Sequence, residues 1–157
     1  MGNKTRKYNF KLQMGPDANP LTDQDWSPEF DGEIKAIYVD AENVWKFTLG
    51  DKDTISITNA PVGELFKVTE DEANQDGYTT SFRIGETVCT DYYARAMLTE
   101  GTPIAVTVEN KLDSTVPTGI HTDSTIWRWL ICCIIKIPKV ADKNGESCIS
   151  ILEKIAG

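Results

Sequence analysis

The run Val68-Thr69-Glu70-Asp71-Glu72-Ala73-Asn74-Gln75-Asp76-Gly77-Tyr78-Thr79-Thr80 decides how the chain is read. In an extended strand successive side chains point to opposite faces. Phe66, Val68 and Glu70 therefore share one face, and Leu65, Lys67 and Thr69 the other. An acid stands where the apolar face would continue inward. A polar loop closing on Asp76-Gly77 follows, and a second strand then carries Tyr78, Thr80 and Phe82 in phase. The pattern recurs further on, where Ile104, Val106 and Val108 share a face and Asn110 is the next residue on it. Burying an amide without a partner costs roughly 2–7 kcal/mol, and a carboxylate more. Two such groups ending two apolar faces need partners, and so make a pair to be explained. The plain alternatives are an exposed acid at a strand end and an asparagine in a turn.

Working outward, Tyr8, Phe10 and Leu12 alternate with Lys7, Asn9 and Lys11, as in a half-buried strand. Residues 15–30 hold Pro16, Pro20 and Pro28 and read as loop, with a short strand or turn near Trp26. Glu33 to Asp40 reads as strand. Trp45, Phe47 and Leu49 alternate, Gly50-Asp51 turns the chain, and Ile55 and Ile57 return. Thr87 to Leu98 reads as an irregular strand and Thr102 to Lys111 as the last clear one. Short alternating strands separated by turns predict an all-β fold, an antiparallel sandwich. The expected interior is Phe10, Leu12, Phe47, Leu49, Ile55, Ile57, Phe66, Val68, Phe82, Ile104, Val106 and Val108.

The chain has 157 residues and a formal net charge of -8. That length fits one domain with a tail. The acidic excess lies in the body, and no basic cluster is present, which argues against nucleic-acid binding. Four cysteines without a Cys-x-x-Cys, and the single histidine His121, argue against a metal site. No cofactor is expected. The opening run from Met1 to Lys7 lacks the apolar stretch of a secretion signal. After Leu112 the composition becomes linker-like. The apolar run over residues 126–137 is broken by Arg128 and Lys136, whereas a membrane span needs about 20 residues. Trp127 and Trp129 suit peripheral membrane contact instead. Ser147 to Ile155 reads as a short helical turn. Trp26 and Trp45 read as packing residues, with a sugar-stacking face as the rival.

Four ordered segments carry a resemblance to a known family: Trp45 to Gly63, Phe66 to Thr80, Ile104 to Asn110, and Val116-Pro117-Thr118-Gly119-Ile120. Together they resemble the FctA-type backbone-pilin domains of Gram-positive bacteria, related to Cna protein B-type domains. The resemblance covers roughly residues 4–120 and implies an Ig-like sandwich (Cna B-type), to which the reading of Ser147 to Ile155 adds a short helical tail. It divides the chain into a pilin-type domain over 1–112, a linker with the sorting-like motif over 113–122, and an apolar segment with polar tail over 123–157.

The family resemblance implies a non-enzymatic structural or adhesive module of the cell surface and cell wall. Its partners would be a sortase and other pilin subunits, with Thr118-Gly119 as the sortase bond. It also implies an intramolecular isopeptide bond between a lysine of the first strand and an asparagine of the last. Carried over, Asn110 is the acceptor and Glu70 the assisting acid. The lysine-bearing strand is expected to be absent. Lys7 and Lys11 fall on the wrong face, and Lys4 precedes the strand. That absence predicts an open sheet edge and a chain that forms no such bond by itself. The rival reading is a carbohydrate- or protein-binding sandwich without isopeptide chemistry.

Overall fold

Alternation of apolar and polar residues turns into strands throughout a computed structural model that describes residues 5–112 and 147–152. The strands are β1 (Tyr8–Met14), β2 (Glu29–Asp31), β3 (Ile37–Val39), β4 (Val44–Leu49), β5 (Thr54–Ala60) and β6 (Leu65–Glu70). They continue with β7 (Tyr78–Ile84), β8 (Thr87–Val88), β9 (Tyr93–Met97), β10 (Ile104–Leu112) and β11 (Ser147–Leu152). One sheet runs β3-β4-β1-β6-β9 and the other β2-β5-β11-β10-β7-β8. The described pairings are antiparallel except β10 with β11, which is parallel. No helix among the described residues is long and apolar enough to cross a membrane.

The core forms where the inner faces meet. All twelve residues expected inside are buried, joined by Tyr8, Met14, Trp26, Trp45 and Ala94 among others. Phe10 pairs with Phe47 in the β1–β4 register. Their rings stack with centroids 5.6 Å apart. Trp26 packs edge-on against Trp45 at 4.7 Å, and its indole N–H donates to the Asn59 carbonyl. Such buried donors need an acceptor, which here is a loop backbone group.

Three local expectations are corrected. The strand expected from Glu33 shrinks to Ile37–Val39, because it meets β4 only from Lys46 to Val44. The irregular strand over 87–98 divides into β8 and β9, which join different sheets. The helical tail is strand over Ser147–Leu152, with Ser147, Ile149, Ser150, Ile151 and Leu152 in register with β5. The Ile149-Ser150-Ile151 alternation suits a strand, and β-branched isoleucine favours it. The remainder of the expected tail, the sorting-like motif and the apolar run lie outside the described residues.

The edge expected to be open beside the acceptor strand is occupied by β11 over Ile104 to Thr107. β10 is flanked by β7 through Val108↔Phe82 and Asn110↔Thr80, and by β11 through Ile104↔Ile149 and Val106↔Ile151.

Phe66 is fully buried between the sheets. Its truncation to alanine should cost about 3–5 kcal/mol of folding free energy, read from urea unfolding. A loss under 1 kcal/mol would place Phe66 outside the core.

Candidate functional site

Glu70 is the last residue of β6, and Asn110 lies near the end of β10. Each strand keeps its phase to its final residues, so both side chains turn inward from opposing sheets. Glu70 is 6% exposed, Asn110 1% and Thr80 3%. Asn110 Nδ2 donates to Glu70 Oε2 at 2.8 Å. The structure thus brings together the acid and the amide that phase had singled out.

Thr80 completes the group. Its hydroxyl donates to Asn110 Oδ1. It also accepts from the Asn74 N–H at 3.0 Å, and the Thr80 N–H donates to Asn74 Oδ1 at 2.9 Å. The loop between β6 and β7 makes this exchange possible. Asn74 and Asp76 hold left-handed backbone, with φ of 57° and 53°, and Gly77 follows at 79°. Asparagine, aspartate and glycine tolerate that region best. Sequence phase places Thr80 inside with Phe82, but its role at Asn110 emerges only from the cross-strand pair. That threonine is the functional residue that sequence reasoning missed.

The loop is tied back to β1 on its outer side. Asp71 N–H donates to the Asn9 carbonyl at 2.9 Å, and the Asn9 N–H donates to Glu72 Oε2 at 2.9 Å. Arg6 pairs with Asp76 at 2.7 Å. Its guanidinium carbon lies 4.9 Å from the centre of the Tyr8 ring and 5.0 Å from that of Tyr78. These contacts close the Glu70 end of the core with a cation held between two rings.

Burial is the largest influence on Glu70 and pushes its carboxyl up to about 7. The Asn110 hydrogen bond opposes the rise, as does the Arg6 charge, while Glu72 and Asp71 add to it. Loss of hydration disfavours the charged form, and neighbouring acids add to that. Glu70 Oε1 is buried and has no hydrogen-bond partner among the described residues. A carboxyl near neutrality, one oxygen on an amide and the other unused, can move a proton at that amide. The Thr80 hydroxyl polarises the amide carbonyl from its other end.

Neither Lys7, just before β1, nor Lys11 on it reaches this group. Lys7 is exposed. The Lys11 ammonium lies 3.0 Å from Asp71 and 3.2 Å from Glu42, on the outer face. No metal-ligating cluster occurs among the described residues. Cys89 is free and half-buried, and burial raises its thiol pKa.

The raised Glu70 pKa has a defined consequence for stability. In the unfolded chain the carboxyl ionises near 4.5, and in the fold near 7. Between those values the folded state holds more protons, so stability falls as pH rises. Denaturant unfolding should lose roughly 3 kcal/mol from this group between pH 4 and pH 8. In Glu70→Gln that contribution should vanish. Equal pH profiles for the two proteins would refute the assignment.

Among the curated proteins, the pilin of Streptococcus pyogenes serotype M1 is 31% identical over 85 residues. The match covers 50% of this chain and 25% of that pilin, so the chain spans about a quarter of its relative's length. No solved structure matches. Through residues 1–112, which hold Glu70, Thr80 and Asn110, the chain belongs to the family described as a domain of unknown function, DUF7601.

Proposed function

We propose that this chain is a non-enzymatic structural module of a Gram-positive cell surface, of the pilin type. Within it Asn110 is the acceptor for a single, self-catalysed amide cross-link to a lysine. The observation that carries the chemistry is Glu70 Oε1, buried without a partner among the described residues, beside the amide that Oε2 already holds. A buried polar atom left alone is costly, and a nitrogen donor beside it would relieve that cost. A lysine amine meets that need.

The step balances simply. A neutral amine forms the Nζ–Cγ bond while the Cγ–Nδ2 bond of Asn110 breaks. Glu70 carries one amine proton to the leaving nitrogen, which departs as ammonia. Thr80 donates to the oxygen on which negative charge develops. The bond forms once, so there is no turnover.

Similarity to a streptococcal pilin supports a surface setting and pilin subunits as partners. Val116-Pro117-Thr118-Gly119-Ile120 fits a sortase substrate, whose Thr118-Gly119 bond a thiolate would acylate. Trp127 and Trp129 suit contact with a membrane surface. A sugar-binding reading needs exposed rings on a sheet face. Trp26 and Trp45 are buried, and Tyr92 is the aromatic residue among the most exposed large side chains described.

Hydroxylamine, a small amine that needs no docking strand, tests the acceptor. It should convert Asn110 to the hydroxamate with release of ammonia, located by peptide mass spectrometry. Asn110→Ala should abolish labelling, and Glu70→Gln should slow it at least roughly tenfold. Labelling of exposed asparagines at the same rate as Asn110 would defeat the proposal.

A further inference from the structure

The buried acid and amide lie near one end of the sandwich, and that end is built in layers. On one sheet the two-residue period leads from Phe10 back to Tyr8 and then to Arg6. On the other it leads from Thr80 back to Tyr78 and then to Asp76. The innermost layer sets Phe10↔Glu70 against Asn110↔Thr80. β6 stops at Glu70, whereas β1 extends two residues beyond that pair, to Tyr8. In the next layer Tyr78 pairs with Leu112, and its ring meets Tyr8 edge-on at 6.2 Å. The ion pair of Arg6 with Asp76, at 2.7 Å, is the outermost layer.

One cation thus stands across the end of the core. The Arg6 side chain is 23% exposed, and its guanidinium carbon lies about equally far from the Tyr8 and Tyr78 rings, at 4.9 Å and 5.0 Å. Both ring faces attract it, and the Asp76 carboxylate fixes it from outside. A partly exposed ion pair contributes little to stability by itself. The consequence of this one is coverage: beside Tyr8, where β6 has already turned into the loop, Arg6 and Tyr78 close the core. Burial is the largest influence on Glu70, and the Arg6 charge is felt there against it.

The chemistry of the buried pair gives the closure a purpose. Glu70 and Thr80 activate the Asn110 amide toward a nucleophile that can give up a proton, and water is one. Attack by water forms an O–Cγ bond and breaks the Cγ–Nδ2 bond. Glu70 carries a water proton to the leaving nitrogen, ammonia departs, and position 110 is left as a carboxyl that no longer accepts an amine. Excluding water from a site prevents such side reactions. We propose that Arg6 is a specificity-determining residue for the cross-link: seated between Tyr8 and Tyr78 and paired with Asp76, it closes the end of the core, so that Asn110 keeps its amide for an amine instead of losing it to water. This rests on the acceptor reading of Asn110 and adds the residue that decides between the two nucleophiles.

The test uses the full chain, incubated at neutral pH and followed by peptide mass spectrometry. The unaltered chain should retain the Asn110 amide. Arg6→Gln should convert it to the acid, faster than the exposed Asn19 of the same molecules. Adding Glu70→Gln should slow that conversion at least roughly tenfold, which separates assisted hydrolysis from simple exposure. Asp76→Asn removes only the charge that fixes Arg6, and asparagine tolerates the left-handed backbone there, with φ of 53°. It should convert Asn110 at an intermediate rate, and it carries the test should Arg6→Gln not fold. Hydroxylamine, a stronger nucleophile than water, reaches Asn110 during transient openings and should label it faster in either variant.

If hydroxylamine labels Asn110 equally in all three proteins and no variant loses the amide, the closure inference falls and the acceptor reading stands. If hydroxylamine labels Asn110 in none of them, the acceptor reading falls and the inference with it. Conversion of Asn110 in the unaltered chain, or conversion in Arg6→Gln that ignores Glu70→Gln, would also overturn the inference.

Discussion

A carboxyl and an amide removed from water must satisfy each other, and the Glu70 end of the sandwich is built around that requirement. Their strands lie in different sheets, so the 2.8 Å contact spans the core. It forms only if both sheets keep their register as far as Phe10↔Glu70 on one side and Asn110↔Thr80 on the other. A one-residue slip in either strand would turn its polar group outward and its apolar neighbours with it. The same register that buries Val68 and Val108 therefore aims Glu70 and Asn110. The loop between β6 and β7 then supplies Asn74, which holds Thr80, which holds the amide oxygen.

Local phase explains why so much was legible. The two-residue period of a strand placed Phe66, Val68 and Glu70, and Ile104 through Asn110, each on one face, and the family resemblance joined Glu70 to Asn110. The twelve expected interior residues were reached in the same way. Phase also separated Lys11 from the site, and its ammonium is engaged by Asp71 and Glu42 outside. Trp26 and Trp45, readable either as packing or as a sugar platform, bury against each other.

What stayed illegible is nonlocal. Ser147 to Leu152 has an alternation of its own, but its state depends on a seat between β5 and β10 far away in sequence. Helix and strand are hard to separate in so short an apolar run. Division of residues 87–98 between two sheets depends on which neighbours β8 and β9 find. Thr80 was visible as an inner-face residue, but its task at Asn110 needed the pairing of β7 with β10. The partnerless Glu70 Oε1 is likewise a property of the assembled core. Together these features connect fold and chemistry. The antiparallel framework of β6, β7 and β10 aims the pair.

The central claim is that burial makes Glu70 a nearly neutral acid beside Asn110. Titration of the Glu70 side-chain carboxyl by carbon-detected NMR, assigned with Glu70→Gln, measures this directly. The account predicts a midpoint of about 7, against 4.5 for an ordinary glutamate. A midpoint in the ordinary range would mean that the carboxyl is hydrated, and the proton-transfer role assigned to it would fail.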